Sequence, residues 1–511
     1  MRSAPLVALA LLSGGSLRAQ DAPIVPPAAA LQQPAPKPAS PPQEPPPEPD
    51  EPPEADADVT RERIVGPSAG APTLALGAAV GLALEHNFAL LDSVDAVTGS
   101  RWQERAALGA FFPQLTPVYQ RFQGSSVFGA DLSQALPFSG GTLTAAGRYL
   151  SAPKSETPLT KTADLRLVLT QPLLRGFGPN ASLFELRNAR RSRVGQERGL
   201  ELARQRVALE VAAAFYGVIA QRQLLDVARQ SLARTQTLLR SSNARLEVGM
   251  ASKLDVFRAE LQAAQASDAM VRTEAALQTA LERFRGLLAL PPADPVEPEA
   301  AALPLADADP VEPAEAQVGR ALATRLELAE VRDQVGDARR AASLARQTLL
   351  PQVDVNLAVA QLGYGAAFGE AWAAGDTRVE LYLSAAYPLQ QASQRAARAQ
   401  AQLQVAGRER GVRQRELEVE AEVRQALREL EQIRKSVGLQ RQAVEVATQQ
   451  RRLAVLRYQR GLGSNFDVVD AESSLVTARS ALVQLLTSYA VARLDLKRVT
   501  GSLDLETEFG R

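Results

Sequence analysis

Apolar positions with mixed spacings of three and four residues dominate this sequence. The spacing predicts four long α-helices with broad apolar faces, in two pairs of one longer and one shorter helix: residues 181–245, 252–290, 391–460 and 464–500. At 1.5 Å per residue the first helix would be roughly 100 Å long, which compact domains rarely hold. We therefore expect coiled-coil-like packing in which a helix has two neighbours.

The chain carries this plan twice. The stretch "VGLALEHNFAL" from Val80 matches "VGRALATRLEL" from Val318, and internal repetition of this kind indicates a duplicated architecture. Each repeat begins with a predicted helix, at residues 74–110 and 314–348, and continues through strands into a helical hairpin. The expected boundaries are 74–290 for repeat 1, 291–313 for an inter-repeat linker, 314–502 for repeat 2 and 503–511 for a C-terminal tail.

Apolar and polar residues alternate between the first helix and the helical hairpin of each repeat. The runs "ADLRLVLTQP", "PQVDVNLAVA" and "RVELYLSAAYP" show this alternation. It is typical of a lipid-facing barrel strand, although strands of β-sandwiches alternate as well. Two principal strands per repeat give four per chain, which cannot close a barrel. A membrane location thus requires an oligomer, either a dimer with eight strands or a trimer with twelve.

Repeat 1 has additional residues before Pro172, including "LSQALPFSGGTLTAAGRYL". Gly140 and Gly141 lie between two alternating runs in this stretch. A glycine pair in that setting predicts the turn of a β-hairpin. The additional hairpin distinguishes repeat 1 from repeat 2.

Residues 1–19 are typical of a secretory signal peptide. Arg2 supplies a positive charge, "APLVALALL" an apolar core, and "SLRA" a cleavage site before Gln20. Residues 20–73 are rich in proline, alanine and glutamate and predict a disordered tether. After the signal, no apolar run approaches the ~18 residues of a membrane-spanning helix. We expect an exported protein whose membrane part, if it has one, is a β-barrel.

Composition excludes several classes of function. Lysine plus arginine and aspartate plus glutamate both number 57, so no net charge favours nucleic-acid binding. With no cysteine and a single histidine, His86, the chain cannot build thiolate or multi-histidine metal sites, and we expect a structural or surface role for His86. The sequence has no paired nucleophile and histidine and no phosphate-binding loop. We therefore expect neither enzymatic activity nor a cofactor.

The motifs together resemble those of the TolC-like outer-membrane efflux proteins. The resemblance covers about residues 74–502 and rests on "FFPQL" and "LLPQV", "LTQPLLRGFG", "AFYGVIAQRQLL" and the duplicated "DV…A" helix starts. It implies a mainly α-helical homotrimer in which very long helices form a twelve-helix periplasmic α-barrel. Four strands per chain would form a twelve-stranded outer-membrane β-barrel. The sequence departs from the family at Leu326, where proline is usual, and it lacks the cysteine that would carry a lipid anchor.

The two hairpin tips share a glycine turn followed by Ser-x-x-Asp. One tip is "RLEVGMASKLDVF" from Arg245, and the other is "RYQRGLGSNFDVV" from Arg457. A serine N-cap with aspartate three residues later predicts a capping box, and the negative charge also suits the helix dipole. The candidate turn and cap residues are Gly249, Ser252, Gly461, Gly463 and Ser464, with Asp255 and Asp467 at the third helical positions.

Asp470 breaks the match between the tips, because its counterpart in repeat 1 is Arg258. Asp467 and Asp470 are three residues apart and share one helical face. They belong either to an exposed surface or, in a trimer, to a ring of carboxylates around the axis. Such rings attract cations, and crowding raises the pKa of their carboxyl groups. We expect these two aspartates to form a cation-attracting pore constriction.

The family resemblance adds a gate to this picture. The two aspartates match the family's acidic constriction. Tyr458 matches a tyrosine that holds the tip closed through a repeat-1 aspartate, here Asp255. Gly463 occupies the place of a family gate arginine, and whether the nearby Arg460 substitutes for it is left open.

The function implied by the resemblance is passive conduction. The chain would be the exit duct of a tripartite efflux pump or type I secretion system, in the outer membrane of a Gram-negative bacterium and extending into the periplasm. The implied partners are further copies of the chain, a periplasmic adaptor (membrane fusion) protein, an inner-membrane transporter and outer-membrane lipid. The alternative is a periplasmic adaptor, an interaction protein that normally has one helical hairpin rather than two. The sequence does not indicate the transported substrate.

Overall fold

The computed structural model describes residues 72–122, 125–151, 161–299, 312–373 and 375–510. The predicted signal peptide, and the tether apart from its last two residues, lie outside this part. Repeat 1 consists of β1 Thr73–Leu74, α1 Leu76–His86, α2 Phe88–Gly109, β2 Gln114–Phe122, β3 Ser125–Ala135, β4 Thr142–Ser151, β5 Lys161–Pro172, α3 Pro179–Ser182, α4 Phe184–Glu247 and α5 Lys253–Leu287. The linker and repeat 2 contain β6 Glu297–Pro298, α6 Ala314–Thr324, α7 Leu326–Gln347, β7 Gln352–Gly365, α8 Phe368–Ala373, β8 Asp376–Ala386, α9 Ala392–Gln459, α10 Asn465–Val499 and α11 Leu505–Phe509.

The four long helices α4, α5, α9 and α10 lie where the apolar spacing predicts them. They contain 64, 35, 68 and 35 residues. At 1.5 Å per residue α4 is about 96 Å long. Their sequences contain no proline and are rich in alanine, leucine, arginine and glutamine, which favour a helix. The prediction of two long helical hairpins is confirmed.

The helix predicted at the start of each repeat is in fact two helices. α1 and α2 meet at Asn87, and α6 and α7 meet at the equivalent Arg325, both in an extended backbone with ψ of 124°. Asn87 caps α2 by accepting a hydrogen bond from a first-turn N–H at 3.1 Å. Arg325 is instead buried in ion pairs with Glu327 and Glu422. The helix that begins at Leu326 is therefore broken from its predecessor without the family's proline.

The long helices form a row in the order α5, α4, α10, α9. α4 packs along both α5 and α10, and α10 packs along both α4 and α9. α1 and α2 lie on α4, and α6 and α7 lie on α9. The largest buried cluster includes Val80, Phe215, Phe284 and Leu494, which come from both repeats. The expected two neighbours are thus found for the inner helices of the row.

The main sheet has six antiparallel strands in the order β2-β3-β4-β5-β7-β8. The hairpin predicted at Gly140 and Gly141 is confirmed, because β3 and β4 pair on either side of this turn. Four principal strands were expected. The described sheet has six because β3 and β4 are inserted between β2 and β5. β2 and β8 are its two edges, so a single chain does not close it.

Directly paired residues of neighbouring strands share a face of the sheet. By this register one face is mainly apolar and the other mainly polar. On the polar face the Thr170 hydroxyl donates to Asn356 at 2.9 Å, and the Asn356 amide donates to Ser384 at 3.0 Å. The apolar face carries aliphatic side chains of three adjacent strands: Leu165, Leu167, Leu169, Val353, Val355, Leu357, Val359, Val379, Leu381 and Leu383.

Ordered elements flank the two repeats. Thr73, which the sequence places in the tether, lies in β1 opposite Glu297 of β6 in the linker. Arg222 of α4 donates to the Glu297 carboxylate at 2.5 Å. In the predicted tail, α11 packs on α1 so closely that a side chain at Gly77 would collide with the Phe509 carbonyl oxygen. These flanking segments are therefore docked against the helices.

Among the described helices, α10 has the length and apolar composition of a membrane-spanning segment. This differs from the expectation that no such segment follows the signal. Three of its large apolar side chains are buried within the row of helices: Leu475, Tyr489 and Leu494 are at most 5% exposed. Packing against other helices therefore accounts for these three apolar residues of α10.

Candidate gate at the hairpin tips

The two hairpin tips have the same backbone turn. Gly249 has a φ of 73° and Gly461 a φ of 72°, a left-handed conformation that favours glycine. The N–H that follows each glycine donates to a carbonyl of the last helical turn, that of Arg245 in one tip and Arg457 in the other, at 2.8 and 2.9 Å. This hydrogen-bonded turn reverses the direction of the chain within a few residues.

A capping box starts the second helix of each hairpin. Ser252 accepts from the Asp255 N–H at 3.2 Å, and the Asp255 carboxylate accepts from the Ser252 N–H at 3.1 Å. Ser464 and Asp467 form the same pair at 3.2 and 2.9 Å. The Ser252 hydroxyl, followed by its N–H, lowers the pKa of Asp255, and the Ser464 N–H lowers the pKa of Asp467. Both carboxylates act as local helix caps.

Tyr458 lies inside the tip of the second hairpin and is 7% exposed. Its hydroxyl is 3.1 Å from the Ser242 hydroxyl of α4. The Arg245 guanidinium covers its ring at 4.2 Å from the centroid and also donates to the Gln459 carbonyl at 3.0 Å. The hydrogen bond and the cation–π contact together hold the tip of α9 against α4.

Asn465 connects Tyr458 to Asp255. Its amide donates to the Asp255 backbone carbonyl at 2.6 Å and to the Ser242 hydroxyl at 3.4 Å. The direct contact expected between the Tyr458 hydroxyl and the Asp255 carboxylate is not formed among the described residues, because the Ser252 cap holds that carboxylate. Tyr458 reaches Asp255 through Ser242 and Asn465 instead. We call four residues the tip cluster: Ser242, Arg245, Tyr458 and Asn465.

The two acidic residues of the expected constriction are exposed in the first turns of α10. Besides the cap, the charge of Arg457 lowers the pKa of Asp467. Asp470 forms no hydrogen bond or ion pair with another described residue. Its counterpart Arg258 lies 3.9 Å from the Asp255 carboxylate. The difference between the repeats therefore leaves an unpaired carboxylate on one tip and a paired arginine on the other.

The place of the family's gate arginine has no side chain here. A Cβ atom on Gly463 would lie 3.2 Å from the Cβ of Arg457. Arg460 is exposed at the end of α9 and has no ion-pair partner in the described part of the chain. Contact between the two tips consequently depends on the tip cluster.

Sequence reasoning missed a buried ion pair next to the tip. Glu472 of α10 is 4% exposed and lies 2.7 Å from Arg234 of α4 and 4.0 Å from Arg451 of α9. Since buried charges require partners, these groups tie three helices together. A signal was present, because Glu472 is spaced four residues from Val468 and three from Leu475 and so shares their apolar face.

The tip region offers electrostatic attraction and separable helix contacts. The described residues hold no group of three or more histidine or acidic side chains that could bind a metal ion. Exposed carboxylates on α10 attract cations, while the tip cluster holds neighbouring helices together through hydrogen bonds.

Comparison with known protein families matches the model described as "Outer membrane efflux protein" to residues 79–290 and 318–502. The two matched segments coincide with the two repeats and cover well over half of the chain. The chain belongs to the outer membrane efflux protein family. The resemblance to TolC-like proteins is thereby confirmed. As a member of this family, the chain is an efflux channel of the outer membrane that extends into the periplasm, and the family is one of transport proteins rather than enzymes.

Solved outer-membrane channels share this fold. The channel OprN is 16% identical with a TM-score of 0.66, over 84% of this chain and 90% of that chain. VceC from Vibrio cholerae is 16% identical with a TM-score of 0.66, over 83% and 96%. The Campylobacter jejuni channel CmeC is 14% identical with a TM-score of 0.64, over 84% and 88%. A comparison with curated proteins gives no match. At these identities the likeness concerns the fold alone.

Proposed function

We propose that three copies of this chain form the exit duct of a tripartite efflux pump or type I secretion system. The duct is a passive conduit, gated at its periplasmic hairpin tips. Its partners are a periplasmic adaptor protein, an inner-membrane transporter and outer-membrane lipid. The observation that carries the proposal is an exposed apolar stripe on each outer helix of the row.

Both stripes follow the spacing of a coiled-coil seam. On α5 the residues are spaced by three and four, and on α9 they are spaced by seven. Each side chain is more than half exposed, which is unusual for large apolar residues at regular spacing. The exposed residues are Leu254, Phe257 and Leu261 on α5, and Leu439, Val446 and Leu453 on α9.

The duplication indicates what covers these stripes. Within one chain, α10 of repeat 2 packs along α4 of repeat 1. Because the repeats are equivalent, α5 of one copy is expected to pack along α9 of the next. Such a head-to-tail contact closes into a ring when the rotation allows it. Three copies, the number that the family resemblance implies, give twelve helices.

The gate in this proposal has two parts. Asp467 and Asp470 of three copies form a ring of six carboxylates, which attracts cations to the constriction. The tip cluster holds the two hairpins of each chain together in the closed state. Tyr458 is not bonded directly to Asp255. It contacts Ser242, Ser242 contacts Asn465, and Asn465 donates to the Asp255 carbonyl. Opening therefore separates α4 from the tips of α9 and α10.

Single-channel recording in planar bilayers tests the ring. Replacing both Asp467 and Asp470 by alanine is expected to abolish block by trivalent cations, because the cation-attracting charge is lost. Asp226→Ala removes an exposed acid on α4 away from the tip and serves as the control. Unchanged block in the double variant would eliminate the carboxylate ring.

The assembly is tested separately. The mass of the detergent-solubilised protein should equal three chains plus bound detergent, and an assembly of two chains would overturn the trimer. In cross-linked bacterial membranes the protein should co-purify with an inner-membrane transporter and an adaptor. Association with neither would contradict a role in a pump or secretion system.

A further inference from the structure

β3 and β4 form a hairpin that repeat 1 has and repeat 2 lacks. In repeat 2, β7 pairs directly with β8, whereas in repeat 1 β3 and β4 stand between the equivalent strands β2 and β5. We propose that β3 and β4 are barrel strands, so that three chains close eighteen strands instead of the twelve that the family resemblance implies. This proposal rests on the trimeric duct proposed above.

The hairpin has the same two faces as the rest of the sheet. The polar face includes Asp131, Ser133, Thr144 and Arg148, which pair with polar-face residues of the neighbouring strands. A hairpin with one apolar and one polar face suits the boundary between lipid and a water-filled lumen. Its apolar face continues that of β5 and β7 with Phe128, Ala130, Leu132, Leu143, Ala145, Gly147 and Tyr149.

Charged groups of the hairpin lie on the polar face alone. Arg148 forms an ion pair with Asp131 at 2.7 Å and is directly opposite Asp164 of β5. Charges on a lipid-facing surface destabilise a membrane barrel, whereas charges toward the lumen are tolerated. The ion pair thus orients the hairpin with its aliphatic face toward lipid.

The turn between β3 and β4 is built into the junction of the sheet with the helices. The Ser139 carbonyl accepts from the Gly178 N–H at 3.2 Å, and the Pro137 carbonyl accepts from the Ser182 hydroxyl at 2.5 Å. Gly140 has a φ of 74° and faces the backbone of the loop after β5, where a side chain would not fit. These contacts hold the hairpin in the plane of the sheet.

Aromatic side chains mark both ends of the hairpin. Phe138 in the turn is 78% exposed. At the other end Phe128 lies 5.0 Å from Tyr119, and Tyr149 lies 4.8 Å from Phe368 of α8, between ring centroids. Aromatic residues at both interfaces are typical of membrane barrels. The strands contain 11 and 10 residues, which is the length that spans a bilayer at a tilt, about 9–11.

The edges of the described sheet indicate that a second copy completes it. Every residue of the edge strand β8 is exposed. An uncovered edge cannot persist in lipid, because its backbone groups lack partners. With an even number of antiparallel strands per chain, β8 of one copy and β2 of the next run in opposite directions. They can therefore pair in the same antiparallel manner as the strands within the chain.

The two additional strands widen the proposed duct. Barrel diameter grows roughly linearly with strand number, so eighteen strands give a barrel about half again as wide as twelve. Barrels of 16–18 strands leave an aqueous channel. We therefore expect an outer opening that admits larger solutes than a twelve-stranded barrel would.

Deletion of residues 125–151 tests the proposal. It gives repeat 1 the plan of repeat 2, because the remaining linker, residues 123–124 and 152–160, is close in length to residues 366–375 between β7 and β8. Electron cryomicroscopy of the detergent-solubilised full chain should show eighteen strands, and the deletion variant should show twelve. The largest polyethylene glycol that enters from the outer side should be smaller for the deletion variant.

Engineered cysteines provide a second test, which the absence of native cysteine makes unambiguous. Ala145→Cys with Leu167→Cys places a pair directly across β4 and β5, and it should form a disulfide in the assembled protein. Ala145→Cys with Leu383→Cys, on non-adjacent strands, should not.

The possible outcomes separate the two proposals. A trimeric outer-membrane duct whose full chain has twelve strands, or lacks the β4–β5 cross-link, overturns the eighteen-strand barrel and leaves the duct intact. A full chain that forms no outer-membrane trimer overturns the proposed function itself. Equal barrel diameters in the full chain and the deletion variant also contradict barrel membership of β3 and β4.

Discussion

The two hairpin tips share a backbone and differ in side chains. Both have the same glycine turn and the same Ser-x-x-Asp capping box. In repeat 1, the positions of Tyr458, Asn465 and Asp470 are occupied by Leu246, Lys253 and Arg258. The shared features are what any sharp reversal between two helices requires. The unshared residues include the two that reach from the second hairpin into the first.

The contact between the tips is therefore asymmetric. Repeat 2 supplies Tyr458 and Asn465, and repeat 1 supplies Ser242, the Asp255 carbonyl and the Arg245 guanidinium, which covers the Tyr458 ring. In the proposed ring, the interface between chains would have Ala454 in the place of Ser242 and Leu246 in the place of Tyr458. The hydrogen bond between Tyr458 and Ser242 would then have no equivalent at the interfaces between chains.

Substitution of Glu472 is expected to give the largest difference in stability between the two repeats. Glu472→Ala should lower the free energy of unfolding by about 3 kcal/mol, because Arg234 and Arg451 lose a buried counter-charge. The equivalent Glu260 has no such counter-charge, because Val446 and Leu239 stand at the positions equivalent to Arg234 and Arg451, and Glu260→Ala should change it by less than about 0.5 kcal/mol. Guanidinium unfolding followed by circular dichroism measures both values. Equal losses would show that the repeats do not differ here.

Asn465 is expected to have the next largest effect. Asn465→Ala should cost about 2 kcal/mol, since the Asp255 carbonyl loses a buried hydrogen bond. It should also raise the open probability of the channel in bilayers. Lys253→Ala, the matched change in repeat 1, removes no hydrogen bond or ion pair among the described residues and should alter neither quantity. A similar response of both variants would argue against an asymmetric contact.

The capping boxes should respond equally, because both repeats have them. Ser252→Ala and Ser464→Ala should each cost about 1 kcal/mol, the usual value of an N-cap. Unfolding by guanidinium again provides the measurement. A large inequality would mean that one cap has a role beyond its own helix.

The same caps should give stability a pH dependence. The lowered pKa values of Asp255 and Asp467 favour folding above the ordinary aspartate value of 3.8, and this contribution is lost as pH falls through the lowered values. Asp255→Asn and Asp467→Asn should therefore flatten the acid limb of stability against pH, measured between pH 2 and 5. An unchanged acid limb in both variants would contradict this account.

The smallest expected effect is a coupling free energy that shows whether Tyr458 bonds to Ser242 or directly to Asp255. A double-mutant cycle of Tyr458→Phe with Ser242→Ala should give a coupling free energy of about 0.5–1 kcal/mol, because their hydroxyls share one hydrogen bond. The cycle of Tyr458→Phe with Asp255→Asn should be nearly additive. Strong coupling of Tyr458 to Asp255 alone would instead indicate the direct contact that the family resemblance implies.

Much of the fold was predictable because its signals are local. Long apolar periodicity identified the four main helices, and a glycine pair identified the β3–β4 hairpin. The helix breaks at Asn87 and Arg325 were missed because one extended residue barely disturbs a periodic pattern. The number of strands in the sheet depends on pairing between distant segments, for which alternation within one strand provides no information.

The site was predictable only where the two repeats could be compared. Aligning the tips identified Tyr458 and Asp470 as differences. Ser242, Asn465 and Glu472 were missed because their importance arises from contacts with residues more than two hundred positions away. A polar residue on the apolar face of a predicted helix was the available signal for Glu472, and it could have been used.

The length of α4 has a mechanical consequence. It begins just after the segment that is hydrogen-bonded to the β3–β4 turn, and its far end, about 96 Å away, carries the hairpin tip. If α4 pivots as a rigid rod, a swing of about 5° at the sheet moves the tip by about 8 Å, close to the distance between packed helix axes. A hairpin that pivots in this way would act as a lever with a long arm between the tip and the sheet.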